Sequence, residues 1–163
     1  MPIRHPFSLL IGALCLLTAT TVTLAARPPT GYWLVQDGAA IVQISQTGET
    51  LSGRMVWLKE PTYPKDDPQG RAGKPKVDAN NPDAARQGNP LIGLTLLSGF
   101  KPGDGPGVFS GGQVYDPKNG KTYSGTLTQV GDDRLDLRGY VLVSLIGRTS
   151  TWTRVDGAKY GLR

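Results

Sequence analysis

Gly31-Tyr32-Trp33 and Trp152-Thr153-Arg154 stand near the two ends of a chain whose intervening runs alternate apolar and polar residues. No other feature constrains the fold as tightly. An indole on a first strand and a guanidinium on a last strand can lie face to plane, with arginine donors left over for nearby carbonyls. That contact requires the first and last strands to be neighbours, so the sheet between them must close. Arg154→Ala is then expected to cost on the order of 1–3 kcal/mol.

The alternation is clearest in 122–128, where Tyr123, Gly125 and Leu127 share one face and Thr122, Ser124, Thr126 and Thr128 the other. Leu135, Leu137, Gly139 and Val141 repeat it, as do Leu51, Gly53, Met55 and Trp57. Turn chemistry interrupts the rhythm at Thr47-Gly48, at Asp116-Pro117-Lys118-Asn119-Gly120 and at Gly131-Asp132-Asp133. Strands are expected near 31–36, 39–46, 50–58, 92–100, 108–115, 121–130, 133–142 and 145–155. Short hairpins between most of them give an all-β, antiparallel up-and-down β-barrel of about eight strands. A two-sheet sandwich is the alternative that periodicity leaves open.

Segment 59–90 breaks the pattern. It holds Pro61, Pro64, Pro68, Pro75, Pro82 and Pro90 with charges between them, the composition of a long, lid-like loop. Within it, Asn81-Pro82-Asp83 predicts a short helical turn, with Asn81 as N-cap and Pro82 at the first position.

Residues 1–25 read as a signal peptide, with Arg4, an apolar run from Phe7 to Leu17, and a small-residue exit at Ala25-Ala26. The expected mature chain is one domain, 26–163, periplasmic or secreted and not membrane-spanning after cleavage. Cleavage removes the only histidine, His5, and the only cysteine, Cys15. Thiol and imidazole chemistry, disulfides and conventional zinc or copper sites leave with them. No cofactor, metal or catalytic residue is expected. Asp66, Asp67, Asp78, Asn80 and Asn81 offer oxygens but lack calcium-loop spacing. The 18 basic and 13 acidic residues are interspersed without aromatic interleaving, which argues against nucleic acid as a partner.

Several segments together resemble the bacterial family known as domain of unknown function 2147. They are Gly31-Tyr32-Trp33, Leu51 to Leu58, Asp78 with Asn81-Pro82-Asp83, Arg86, Pro90 to Leu94, Gly111 to Pro117, Gly120 to Tyr123, Leu137 to Tyr140 and Gly147 to Arg154. The resemblance implies an exported, lipocalin-like β-barrel and no particular reaction. It also implies a cysteine pair near the second turn, where this chain has Ser45 and Ser52, and an Arg-x-Arg-Pro before Leu91, where it reads Gln87-Gly88-Asn89-Pro90.

Five residues are the ligand-binding candidates. Met55, Trp57 and Tyr123 share faces with core-type residues and would line a small apolar pocket. Tyr115 offers an aromatic edge with a hydroxyl. Arg148 supplies a positive fork for a carboxylate or phosphate head group if its side of the last strand is the inner one; alternation alone does not say which side that is. The leading function is an exported, non-enzymatic barrel binding a small amphipathic or lipid-like ligand. The alternatives are an envelope protein–protein interaction module with a solid barrel and, third, a carboxylate-dependent enzyme.

Overall fold

Eight strands with β-branched and aromatic alternation pair in sequence order, each antiparallel to the next. They are β1 (Gly31–Leu34), β2 (Ala40–Thr47), β3 (Thr50–Leu58), β4 (Thr95–Pro102), β5 (Val108–Asp116), β6 (Lys121–Val130), β7 (Arg134–Tyr140) and β8 (Gly147–Val155). The computed structural model describes residues 27–140 and 147–163. The expected signal peptide, and the alternation read at Val141, therefore lie outside the described residues. β1 also pairs with β8, so the sheet is a closed barrel and the sandwich alternative is removed.

The seam forms where Trp33 and Arg154 are register partners. The Arg154 guanidinium carbon lies 4.3 Å from the indole centroid. Its nitrogens donate to the carbonyl oxygens of Thr30, Pro28 and Asp132 at 2.6, 2.8 and 2.5 Å. The Trp33 indole N–H donates to the Pro29 oxygen at 2.7 Å. One arginine thus ties the segment before β1, β1 itself and the β6–β7 turn together, closing this end of the barrel.

The inward face is fixed by register: Trp33, Val42, Ile44, Leu51, Leu97, Phe100, Leu127, Leu135, Leu137 and Trp152 form one buried cluster. Phe100 fills the middle of the barrel, lying over Gly112 and Gly125; a Cβ on either glycine would press into its ring. Adding even a methyl group to such a close-packed interior is destabilising, so the glycines on these strands make room for a ring. Ser45 and Ser52 are cross-strand partners, with their hydroxyl oxygens 3.2 Å apart.

The connection from β3 to β4 is fastened along its length. Thr62 bridges Pro75 and Val77 bridges Pro90. The Asn80 side-chain amide donates to the Pro117 and Lys118 oxygens, both at 3.1 Å. Its short helical element is the 3-10 turn Ala84–Arg86, and the N-cap is Asp83 rather than the expected Asn81. Asn81 instead accepts from the Asp83 N–H, an Asx turn that displaces the cap by two residues.

Candidate functional site

The seam end is sealed, so the opposite end is where the barrel can present a site. It carries the β1–β2 and β5–β6 turns and the start of the β3–β4 connection. The two turns belong to opposite sides of the eight-stranded ring, and Lys118 reaches Asp37 at 3.4 Å between them. Both groups are exposed, so the pair contributes little stability.

Register settles which side of β8 is inner. Leu137 opposes Ser150, Leu135 opposes Trp152, and Gly139 opposes Arg148. Arg148 therefore belongs to the same face as the buried Trp152, and its side chain is exposed because it stands at the barrel end. Tyr123 sits on the corresponding face of β6, opposite Val114. Gly139 pairs with Gly125 on one side and Arg148 on the other, and among the described residues a Cβ there would meet nothing closer than the Tyr123 Cβ at 3.9 Å. Among the described residues, the glycine leaves side-chain space beside Tyr123 and Arg148. Leu97 and Met55, 1% and 6% exposed, are among the buried apolar residues of the barrel. The Tyr123 hydroxyl accepts from the Asn119 amide at 3.0 Å, which orients the ring.

Three of the five candidates, Met55, Tyr123 and Arg148, thus belong to the inner face towards this end. Trp57 and Tyr115 do not. A register shift between Ile41 and Val42 breaks the β3 alternation after Met55. Trp57 then meets Tyr160 edge-on, with centroids 5.1 Å apart at 71°. Tyr160 belongs to the 3-10 helix Gly157–Tyr160, whose Gly157 packs against the Tyr32 ring on the side of β1 away from Trp33. Trp57 is therefore an outer-wall packing residue.

Tyr115 lies on the outer side of β5, and its hydroxyl donates to both carboxylate oxygens of Asp78 at 2.8 and 2.9 Å. Asp78 is only 1% exposed and also accepts from the Asn81 amide at 2.6 Å. A buried carboxylate is tolerated only when its oxygens are satisfied, and these three contacts satisfy it. Burial first, and the adjoining carboxylate second, push the Tyr115 pKa up to about 12. The phenol is committed to holding the connection against the wall. Nothing in the local sequence signals this clamp, because its partners are 37 residues apart. Gly139 was equally silent: its alternation marks a strand, and only the neighbours across both ladders reveal an opening.

Family models and solved structures bear on this geometry. A family described as an uncharacterized protein conserved in bacteria (DUF2147) matches residues 31–154. Among solved structures, protein HP1028 from Helicobacter pylori, described as belonging to the lipocalin family, superposes with a TM-score of 0.65 at 20% identity. The match covers 81% of this chain and 86% of that one. At that identity the likeness is one of fold. No curated protein sequence matches the chain.

Proposed function

The chain belongs to the DUF2147 family, and from that footing and its lipocalin-like barrel we propose an exported, non-enzymatic protein that binds a small amphipathic ligand at the barrel end. The observation that carries this reading is the side-chain space that Gly139 leaves, among the described residues, beside Tyr123 and Arg148 on the inner face of an otherwise apolar barrel. An apolar backing with one fixed cation at the rim suits a ligand with an apolar body and a carboxylate or phosphate head. Because Phe100 and its neighbours fill the middle of the barrel, the ligand enters only part way. The envelope location rests on the reading of residues 1–25.

The test uses cis-parinaric acid, a fluorescent fatty acid. The parent protein is expected to bind it saturably, Arg148→Glu to weaken binding about ten-fold or more, and Gly139→Leu to abolish it while remaining folded. Equal binding by all three proteins, or none by the parent, rejects the reading. The filled interior supports a second reading, an envelope protein–protein module. Under that reading, excising 64–73, the hairpin tip held between Tyr63 and Lys74, removes partner capture and leaves the fold intact.

A further inference from the structure

The clamped β3–β4 connection borders an open groove of about 670 Å³ on the outer wall of β4, β5 and β6, within the size range of small-molecule sites. We propose that this groove is a binding site for an acidic oligosaccharide, separate from the barrel end.

The chemistry of the lining carries the assignment. Asn89 comes from the connection, Ser98 from β4, Gln113 from β5 and Thr122 from β6. Ser98 and Gln113 are direct cross-strand partners, and Tyr115, two residues further along β5, opposes Thr122 in the next ladder. Amides and hydroxyls both donate and accept, as each sugar hydroxyl does, and none of these four side chains has a hydrogen-bond partner among the described residues. Leu94, Leu96 and Pro90 supply apolar surface between them. A pyranose carries hydroxyls around its edge and C–H groups on its faces, so it matches a lining in which the two kinds of surface alternate.

An extended peptide fits less well. Peptides are held on sheets chiefly by adding a strand to a free edge, and a closed barrel has none to offer. The strands of the wall are each flanked on both sides by a paired neighbour.

Charge selects the acidic member of the class. Among the described residues Arg86 is the only charged one in the lining. It meets Asp83 through Nε at 3.2 Å, which leaves its terminal nitrogens to face a carboxylate. The groove is also built before the ligand arrives. Its floor is a hydrogen-bonded sheet, and its wall is pinned by the buried Asp78–Tyr115 pair and by Asn80 on the β5–β6 turn. A site that needs no reordering on binding keeps more of its contact energy.

Titration of the isotopically labelled protein with trimeric oligogalacturonate, followed by amide chemical shifts, tests the proposal; cellotriose is the neutral probe and a proline-rich peptide the competitor. Shifts are expected at Asn89, Ser98, Gln113 and Thr122 with both sugars. Arg86→Gln should weaken the acidic sugar about ten-fold and leave cellotriose unchanged, whereas Gln113→Ala should weaken both. Both positions are exposed, so the thermal midpoints of these variants should stay within about 2 °C of the parent. Gly139→Leu should leave sugar binding intact, which keeps this proposal separable from the one at the barrel end. The assignment is overturned by shifts that are absent or lie outside the groove, by the peptide alone shifting these amides, or by an Arg86→Gln variant that binds oligogalacturonate as the parent does.

Discussion

Replacing Arg154 by alanine removes four interactions that meet at the barrel seam. Three are charge-assisted donations, to Thr30, Pro28 and Asp132, and the fourth is the stacking 4.3 Å above Trp33. At a net worth of about 1 kcal/mol per hydrogen bond and about 0.5–1 for the stacking, the gross loss approaches 4 kcal/mol. Burial lowers the guanidinium pKa from its ordinary value, a sign that desolvation offsets part of this gain. The alanine variant also no longer bears the entropy cost of ordering a long side chain on folding. A net loss of about 3 kcal/mol remains, at the upper end of what the sequence alone suggests. For a domain of this size that is about 10 °C in thermal midpoint, readable by circular dichroism or calorimetry. Arg154→Lys keeps the charge but not the fork, and should recover less than half of the loss. A midpoint for Arg154→Ala within about 2 °C of the parent would refute the closure argument, because three strapped segments cannot be freed at no cost.

Tyr115→Phe leaves the buried Asp78 carboxylate with only the Asn81 amide, and should cost about 1–3 kcal/mol by thermal melting; a neutral outcome means that water replaces the phenol. The Tyr115 pKa, raised by burial to about 12, has a signed consequence. The folded state holds the phenolic proton more tightly than the unfolded chain, so this contribution is intact below about pH 10 and fades as pH rises towards 12. Absorbance at 295 nm should show one tyrosine titrating last, and Asp78→Asn should advance it only in part, since burial remains. Asp67 has the opposite sign: its hydrogen bonds with Arg71 lower its pKa to about 2, so its contribution is present above about 3.8 and lost as pH falls through 2. Limited proteolysis at the 64–73 tip should rise in that acid range, and the same cleavage rate at pH 2 and pH 5 would contradict it. Gly120 has φ 69°, and a Cβ there would overlap the Asn80 carbonyl oxygen. Gly120→Ala should therefore free the connection from the β5–β6 turn, destabilising by about 2 kcal/mol and raising amide exchange at Asn80.

The sequence by itself pointed to about eight antiparallel strands in hairpin order and to a pair that could join the ends; the β1–β8 pairing decided closure against a two-sheet sandwich. Period-2 alternation is local, turn residues are local, and the Trp33–Arg154 signature ties the ends without reference to the middle. It could equally nominate Met55, Tyr123 and Arg148, because each sits on a regular strand. Tertiary structure decided what those nominations mean. Which side of β8 faces inward follows only from the ladder that sets Arg148 opposite Gly139 and Trp152 opposite Leu135. Trp57 leaves the inner face because one register shift turns a strand over, and shifts arise from pairing rather than from either strand alone. Tyr115 and Asp78 meet through chain folding across 37 residues, so no window of sequence contains their contact. Alternation specifies which residues share a face; burial, register and long-range contact decide what that face encloses.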